Sequence, residues 1–175
     1  MKKAFLLLAG IFSFQFLLAQ DCEVRKDPFT NEEVIGYHWG KSLKYEMKSG
    51  ETTLEIEFTY SGNLKVTIPE GSEILFKMEN GAIIKKATIA ESFPKSYVSG
   101  QAVYTNYPMK VLLNEEDIIA LAGSKVEVIR YPDGKGGSND WDIKGLGKLF
   151  SRNMKNGADC IRQHLKNAKQ VIIAE

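Results

Sequence analysis

The sequence is poor in the residues that most often carry chemistry. Its 175 residues include only two histidines and two cysteines. His38 and His164 sit in no nucleophile or metal pattern, and one Cys beside one His is too few ligands for a metal centre. No metal and no cofactor is expected. Neither charge dominates: 23 Lys+Arg face 22 Asp+Glu, a net charge of +1. This removes the electrostatic case for nucleic acid or an anionic membrane surface as partner. No residue period runs through the chain, which excludes collagen, coiled coil and repeat arrays. What is not lacking is apolar content. At 43% hydrophobic and 26% charged residues, the chain has enough to bury a core and is not disordered.

There is one long apolar run. Ala4 to Ala19, 16 residues counted inclusively, follows the basic start Met1-Lys2-Lys3 and precedes the polar Gln20-Asp21. A membrane-spanning helix needs about 20 residues, and Ser13 and Gln15 interrupt this one. The order of basic end, apolar middle and small exit residue is that of a secretory signal peptide. Residues 1–19 are therefore read as the signal, cut after Ala19, and a retained anchor is the alternative. Lipidation of Cys22 is disfavoured because Asp21, not a small residue, precedes it. Loss of Lys2 and Lys3 gives a mature charge of (23 − 2) − 22 = −1. Export places Cys22 and Cys160 in an oxidising compartment, where an even number of thiols pairs. A Cys22–Cys160 disulfide is expected. The alternatives are unpaired thiols, or a nucleophilic Cys160 with His164 one helical turn later.

The mature chain reads mostly as strands. Asp27-Pro28-Phe29-Thr30 makes a turn, with Phe29 expected to plug into the core. Ile35, Tyr37 and Trp39, then Leu43, Tyr45 and Met47, keep one phase of a period-two alternation, so one strand or two bend near Gly40. His38 falls on the polar phase. Leu54, Ile56, Phe58 and Tyr60 alternate with Glu55, Glu57 and Thr59. Leu64, Val66 and Ile68 continue the pattern, which predicts a hairpin through Ser61-Gly62-Asn63 with Tyr60 opposite Leu64. Asn80-Gly81 signals a second hairpin. A tight two-residue turn there would set Lys85 opposite Phe76, so a bulge or a sheet edge is expected. Asn114 before Glu115-Glu116-Asp117 is a helix N-cap with acids in the first turn; this helix ends near Gly123. Lys125–Tyr131 is a strand, Pro132–Asn139 a loop, and Trp141 with Ile143 a brief strand. From Gly145 to about Asn167, Phe150, Met154, Ala158, Ile161 and Leu165 follow helical spacing. Gly157 within that helix marks a kink or a close contact.

Stretches that suggest chemistry have plainer readings. Asp133-Gly134-Lys135-Gly136-Gly137-Ser138-Asn139-Asp140 is Gly-rich, yet it lacks the Gly-Lys-Ser/Thr ending of a phosphate loop. Lys135 also stands where a calcium loop needs oxygen; a hairpin tip explains it. Glu115, Glu116 and Asp117 begin a helix rather than an acid–base cluster. Trp39, Tyr97, Tyr104 and Tyr107 are candidates for a sugar-binding surface, with core or edge packing as the alternative.

Asp27-Pro28-Phe29-Thr30-Asn31-Glu32 resembles an acid-Pro-Phe-Thr-Gly-Glu opening, with Asn31 in place of Gly. Ile74–Ile84 resembles a strand, Asn-Gly, strand centre. Asn114–Ile118 followed by Lys125–Arg130 resembles a Ser-x-Glu-Asp helix and Val-x-x-Ile-Arg strand. Together these resemble a group of small exported bacterial proteins of unknown function, and no catalytic residue, activity or cofactor follows from that resemblance. The expectation is one α+β domain, residues 20–168, with residues 169–175 as a tail. An antiparallel sheet of five to eight strands packs one face on the long C-terminal helix, and a short helix near Ile118 closes an edge. The expected function is non-enzymatic: an exported, periplasmic or extracellular domain binding a protein or a cell-envelope component. A small-ligand or carbohydrate-binding protein is the alternative, which a pocket of several hundred Å³ lined by Trp39 or the tyrosines would favour. A hydrolase is the third reading, requiring reduced Cys160 near His164 and a carboxylate.

Overall fold

The computed structural model describes residues 22–143 and 145–173; the signal segment, residues 1–19, lies outside them. The strands are β1 (Glu23–Lys26), β2 (Glu33–Trp39), β3 (Leu43–Lys48), β4 (Glu51–Ser61), β5 (Glu73–Met78), β6 (Ile83–Ala87), β7 (Lys95–Ser99), β8 (Ala102–Leu113), β9 (Val126–Pro132) and β10 (Ser138–Asp142). The helices are α1 (Glu115–Gly123) and α2 (Lys148–Ile173), the latter entered through a single 3-10 turn, Gly145–Gly147. α2 thus continues past the end expected near Asn167.

The expected α+β arrangement, one sheet covered by the C-terminal helix, does not form. The fold is a mainly β sandwich, or half-barrel, of two antiparallel sheets. Six strands run in the order β1-β2-β3-β4-β8-β7, and four in the order β10-β9-β5-β6. The physical reason is width. A helix about 10 Å across covers roughly two strands spaced about 4.8 Å apart. α2 accordingly packs on β2 and β3, touches β9 and leans on α1. The rest of the apolar face is covered by the second sheet, whose Ile74, Phe76, Met78 and Ile129 share one core with Leu54, Ile56, Tyr107 and Met109. The sheets are stitched where β6 runs on: Thr88 bridges Val111, and the Ile89 N–H donates to Lys110 O at 2.9 Å. α2 fills the side that this curl leaves open.

Local chemistry sets the elements. In β4, Thr52, Leu54, Ile56, Phe58 and Tyr60 are buried and alternate with more exposed residues. Gly40, at φ 56°, turns β2 into β3. Asn114 caps α1 by accepting from the Asp117 N–H at 2.8 Å, and Asp117 Oδ2 accepts from the Asn114 N–H at 2.9 Å. Lys86 of β6 holds the same carboxylate at 2.6 Å.

Two further expectations are corrected, and the sheet edge expected after Asn80-Gly81 is found. The Ser61-Gly62-Asn63 hairpin is absent: Tyr60 lies opposite Thr105, because β8 takes that edge of β4 over ten residue pairs from Thr52↔Leu113 to Ser61↔Tyr104. A ladder of that length outcompetes the short run Leu64–Ile68, of which only Ile68 forms a bridge, to Ser92. At Asn80-Gly81 the turn takes in Glu79 as well: Met78 N–H reaches Ala82 O at 2.8 Å, and Gly81 adopts φ 85°. The added residue sets Phe76 opposite Ile84, and Lys85 opposite Leu75, on an edge strand. Finally, Phe29 is 95% exposed rather than in the core. The β1–β2 ladder closes at Lys26↔Glu33, so the Asp27–Glu32 turn projects beyond the sheet.

Cys22 and Cys160 form a disulfide, with Cα atoms 5.5 Å apart. It ties the chain before β1 to the middle of α2.

Candidate functional site

The two tryptophans of the chain, 102 positions apart (141 − 39), converge on one cleft. Trp39 ends β2, Trp141 stands on β10, and Phe150 of the first turn of α2 lies between them. The ring centroid of Phe150 is 5.8 Å from Trp39, edge to face, and 4.7 Å from Trp141. Phe58 of β4 forms another wall and is itself stacked on Tyr131 at 4.2 Å. Ser42, Glu57, Thr59 and Gly147 complete a cleft of about 350 Å³. Phe58 and Phe150 are buried, and both tryptophans are partly buried against the core. Part of each indole therefore still faces the cleft.

The cleft has a polar lip. Glu57 Oε1 accepts from Asn106 Nδ2 at 2.9 Å, and Thr59 Oγ1 donates to Asn106 Oδ1 at 2.9 Å. The pairing of β4 with β3 stops at Leu43↔Ile56, one step before the Glu57 N–H reaches Ser42 O at 3.1 Å. Alternate residues of an antiparallel strand direct their N–H and C=O to the same edge. Two residues beyond Glu57, the Thr59 backbone therefore points to the β3 side, where no strand pairs with it among the described residues. This unpaired stretch opens at the cleft mouth. Behind it, burial pushes the Tyr60 and Tyr131 phenols above their ordinary pKa. The Tyr60 hydroxyl donates to Pro132 O.

The other residues singled out in the sequence are dispersed. Of the aromatic candidates only Trp39 reaches the cleft. Tyr107 is in the core, its hydroxyl donating to Val66 O at 2.6 Å. Tyr97 and Tyr104 stack at 5.7 Å on the outer β7–β8 hairpin. The Gly-rich loop joins β9 to β10. Asp133 Oδ1 there accepts from the Lys135 and Gly137 N–H groups at 2.7 and 2.8 Å, and Arg130 grips Asp140 with two bonds. Both carboxylates thus serve the hairpin. Asp117 is spent on the α1 cap, and Cys160 is oxidised. His164 is half-buried and His38 exposed. Among the described residues, no three His, Cys, Asp or Glu side chains cluster as a metal site would require. A larger cavity of about 810 Å³ under β9 brings Lys77, Lys125, Lys148 and Arg152 together with Glu79, Glu127 and Asp142. Its mixed signs define no field for a ligand of one charge. Trp141 and Phe150 are the residues sequence reasoning missed; that Trp39 and Trp141 are the only tryptophans was the available signal.

Compared with known protein families, curated proteins and solved structures, the chain matches none of them.

Proposed function

We propose that this chain is an exported, non-catalytic binding domain that holds a protein partner by an aromatic or apolar side chain in the Trp39–Trp141 cleft. The observation that carries the reading is the joining of an aromatic slot to an unpaired strand edge at Thr59. Strand addition supplies main-chain hydrogen bonds, and a pocket beside it supplies side-chain selectivity. Partly buried tryptophans lining a cleft match a residue type that is enriched among the anchors of protein interfaces. Export is supported by the order of residues 1–19 and by the Cys22–Cys160 disulfide.

The test is photo-crosslinking from position 59 in the exported protein within its own envelope. Thr59 is exposed at the cleft mouth, so a crosslinking residue there should capture a protein, and Trp39→Ala should abolish the capture. Capture unaffected by Trp39→Ala would overturn the reading. A second reading, a sugar ring laid in the cleft against the indoles, is favoured by the Ser42, Thr59 and Glu57 groups at the lip. It requires soluble oligosaccharides to quench tryptophan fluorescence and to compete with the crosslink.

A further inference from the structure

The outermost strand of the six-stranded sheet contributes almost nothing to the core. All four residues of β1 are exposed, Val24 at 49% among them. Its one strand partner among the described residues is β2, from Glu23↔Gly36 to Lys26↔Glu33. Ordering four residues costs backbone entropy that no buried side chain of this strand offsets. The Arg25–Glu46 ion pair, at 3.1 Å, is open to solvent and adds little. Two fastenings hold the ends. At the C-terminal end the turn is braced: the Asp27 N–H donates to Glu32 O at 2.8 Å, and Lys48 of β3 clamps Asp27 Oδ2 at 2.8 Å. At the N-terminal end stands the Cys22–Cys160 bond, one residue before the strand. The neighbouring strand is of the opposite character. Val34, Ile35, Gly36 and Tyr37 are all buried, so β2 belongs to the core with or without β1.

We infer that the Cys22–Cys160 bond is a redox latch on β1: its reduction by a dithiol releases β1 from the edge of β2 while the sandwich stays folded. The two sulfurs are unequal. Cys160 is 8% exposed and belongs to the core, and its Sγ lies 3.9 Å from Gly36 O of β2. Cys22 is less deeply covered and is the sulfur a reductant reaches. A thiolate of the dithiol attacks Cys22 Sγ, the S–S bond breaks, and Cys160 leaves as a thiolate that takes up a proton. The second thiol of the reductant then displaces Cys22, which is protonated in turn. Two electrons and two protons reach the protein, and the dithiol ends as a disulfide. Cys160 stays on α2 against β2, where its thiol can donate to Gly36 O. Cys22 leaves with the chain before β1. The strand then peels from Glu23 towards Lys26, and the braced Asp27 turn is the hinge. Its departure bares the outer main-chain N–H and C=O groups of β2 beside an apolar strand, the kind of edge that accepts another strand.

The experiment is hydrogen exchange read by mass spectrometry on the disulfide-bonded mature protein, before and after dithiothreitol, well below the melting temperature of the reduced form. The expected result is exchange faster by about tenfold or more in β1 and in the β2 amides that face it, with β4 and β8 as slow as before. The gain should be larger at Glu23–Arg25 than in the Asp27–Glu32 turn. Removing the reductant and reoxidising should restore the slow pattern. Cys22→Ser combined with Cys160→Ser should show the fast pattern without reductant. In that double variant trypsin should cut after Arg25 about tenfold or more faster than in the oxidised wild type, because cleavage follows the population of the released strand. Arg130 and Arg152, on β9 and α2, should stay uncut in both. Unchanged exchange in β1 and β2 on reduction would overturn the inference, since the ladder would then hold β1 without the latch. So would faster exchange spread equally through β4 and β8, since the bond would then guard the whole fold and not one strand.

Discussion

At Gly157 two buried rings reverse a general rule of helix propensity. In a helix interior, Gly is about 1 kcal/mol less favourable than Ala, so Gly157→Ala would stabilise an isolated helix. Here a Cβ would meet the Tyr45 ring and lie 2.8 Å from Tyr37 Cδ1. Both tyrosines are fully buried, and the Tyr45 hydroxyl donates to Met154 O at 3.0 Å, so neither ring can retreat. Gly157→Ala is expected to destabilise the protein by about 1–3 kcal/mol, the usual cost of overpacking. Denaturant midpoints read the sign directly. Asp27 is the second case. The hydrogen bond from Lys48, with the Phe29 and Thr30 N–H groups, holds its carboxyl well below the ordinary range. A depressed pKa contributes stability that is complete above the unfolded value, about 3.9, and is lost as pH falls through the folded value. The difference in melting temperature between wild type and Asp27→Asn should therefore be constant from about pH 5 to 7 and shrink below about pH 4. A gap that widens in acid would contradict the assignment.

Among the elements, α1 depends most on one side chain. Asp117 closes the capping box with Asn114 and pairs with Lys86 of β6 in a part-buried site, so it fastens the helix to the four-stranded sheet as well as starting it. Asp117→Ala is expected to cost about 1–2 kcal/mol, since a lost cap alone is worth about 1. Hydrogen exchange should rise first in the Glu115–Gly123 amides. Equal exchange throughout the chain would show that the carboxylate acts on global stability only. β4 makes the contrasting point. Its alternation was plain in the sequence, and its buried phase, Leu54 to Tyr60, is the one the alternation identifies. Its neighbours were not, because a strand of the right phase pairs equally well with any strand of matching phase. β8, not Leu64–Ile68, holds one edge of β4. On its other side β3 begins only at Leu43, opposite Ile56, which leaves the β3-side edge of Thr59 without a strand partner among the described residues and makes the mouth of the cleft.

At the scale of the molecule, the disulfide closes a loop of sequence separation 138. In the chain-entropy model a loop of that length contributes roughly 5 kcal/mol at most, comparable with the whole net stability of a small domain, about 5–15 kcal/mol. Thiol titration of denatured, unreduced mature protein should find no free thiol, and reduction should lower the melting temperature by many degrees. Two titratable thiols without reductant would refute the bridge. The bond also bears on the cleft. It holds the segment before β1 against the same helix whose first turn carries Phe150.

Properties carried by near neighbours were legible in the sequence: the burial phase of β3 to β5, the Gly40 bend, the Asn114 cap, the helical stripe from Phe150 to Ile161. These follow from steric and hydrogen-bonding rules that act over a few residues. The Cys22–Cys160 pair was legible for a different reason, since two thiols leave one pairing. The second sheet, the exposed Phe29 and the meeting of Trp39 with Trp141 were decided only in three dimensions. They depend on which apolar faces find each other, a competition among ladders and layers settled by total area buried. Periodicity marks a residue as facing inward, but whether that interior is a helix, a sheet or an open cleft is a property of the assembled fold.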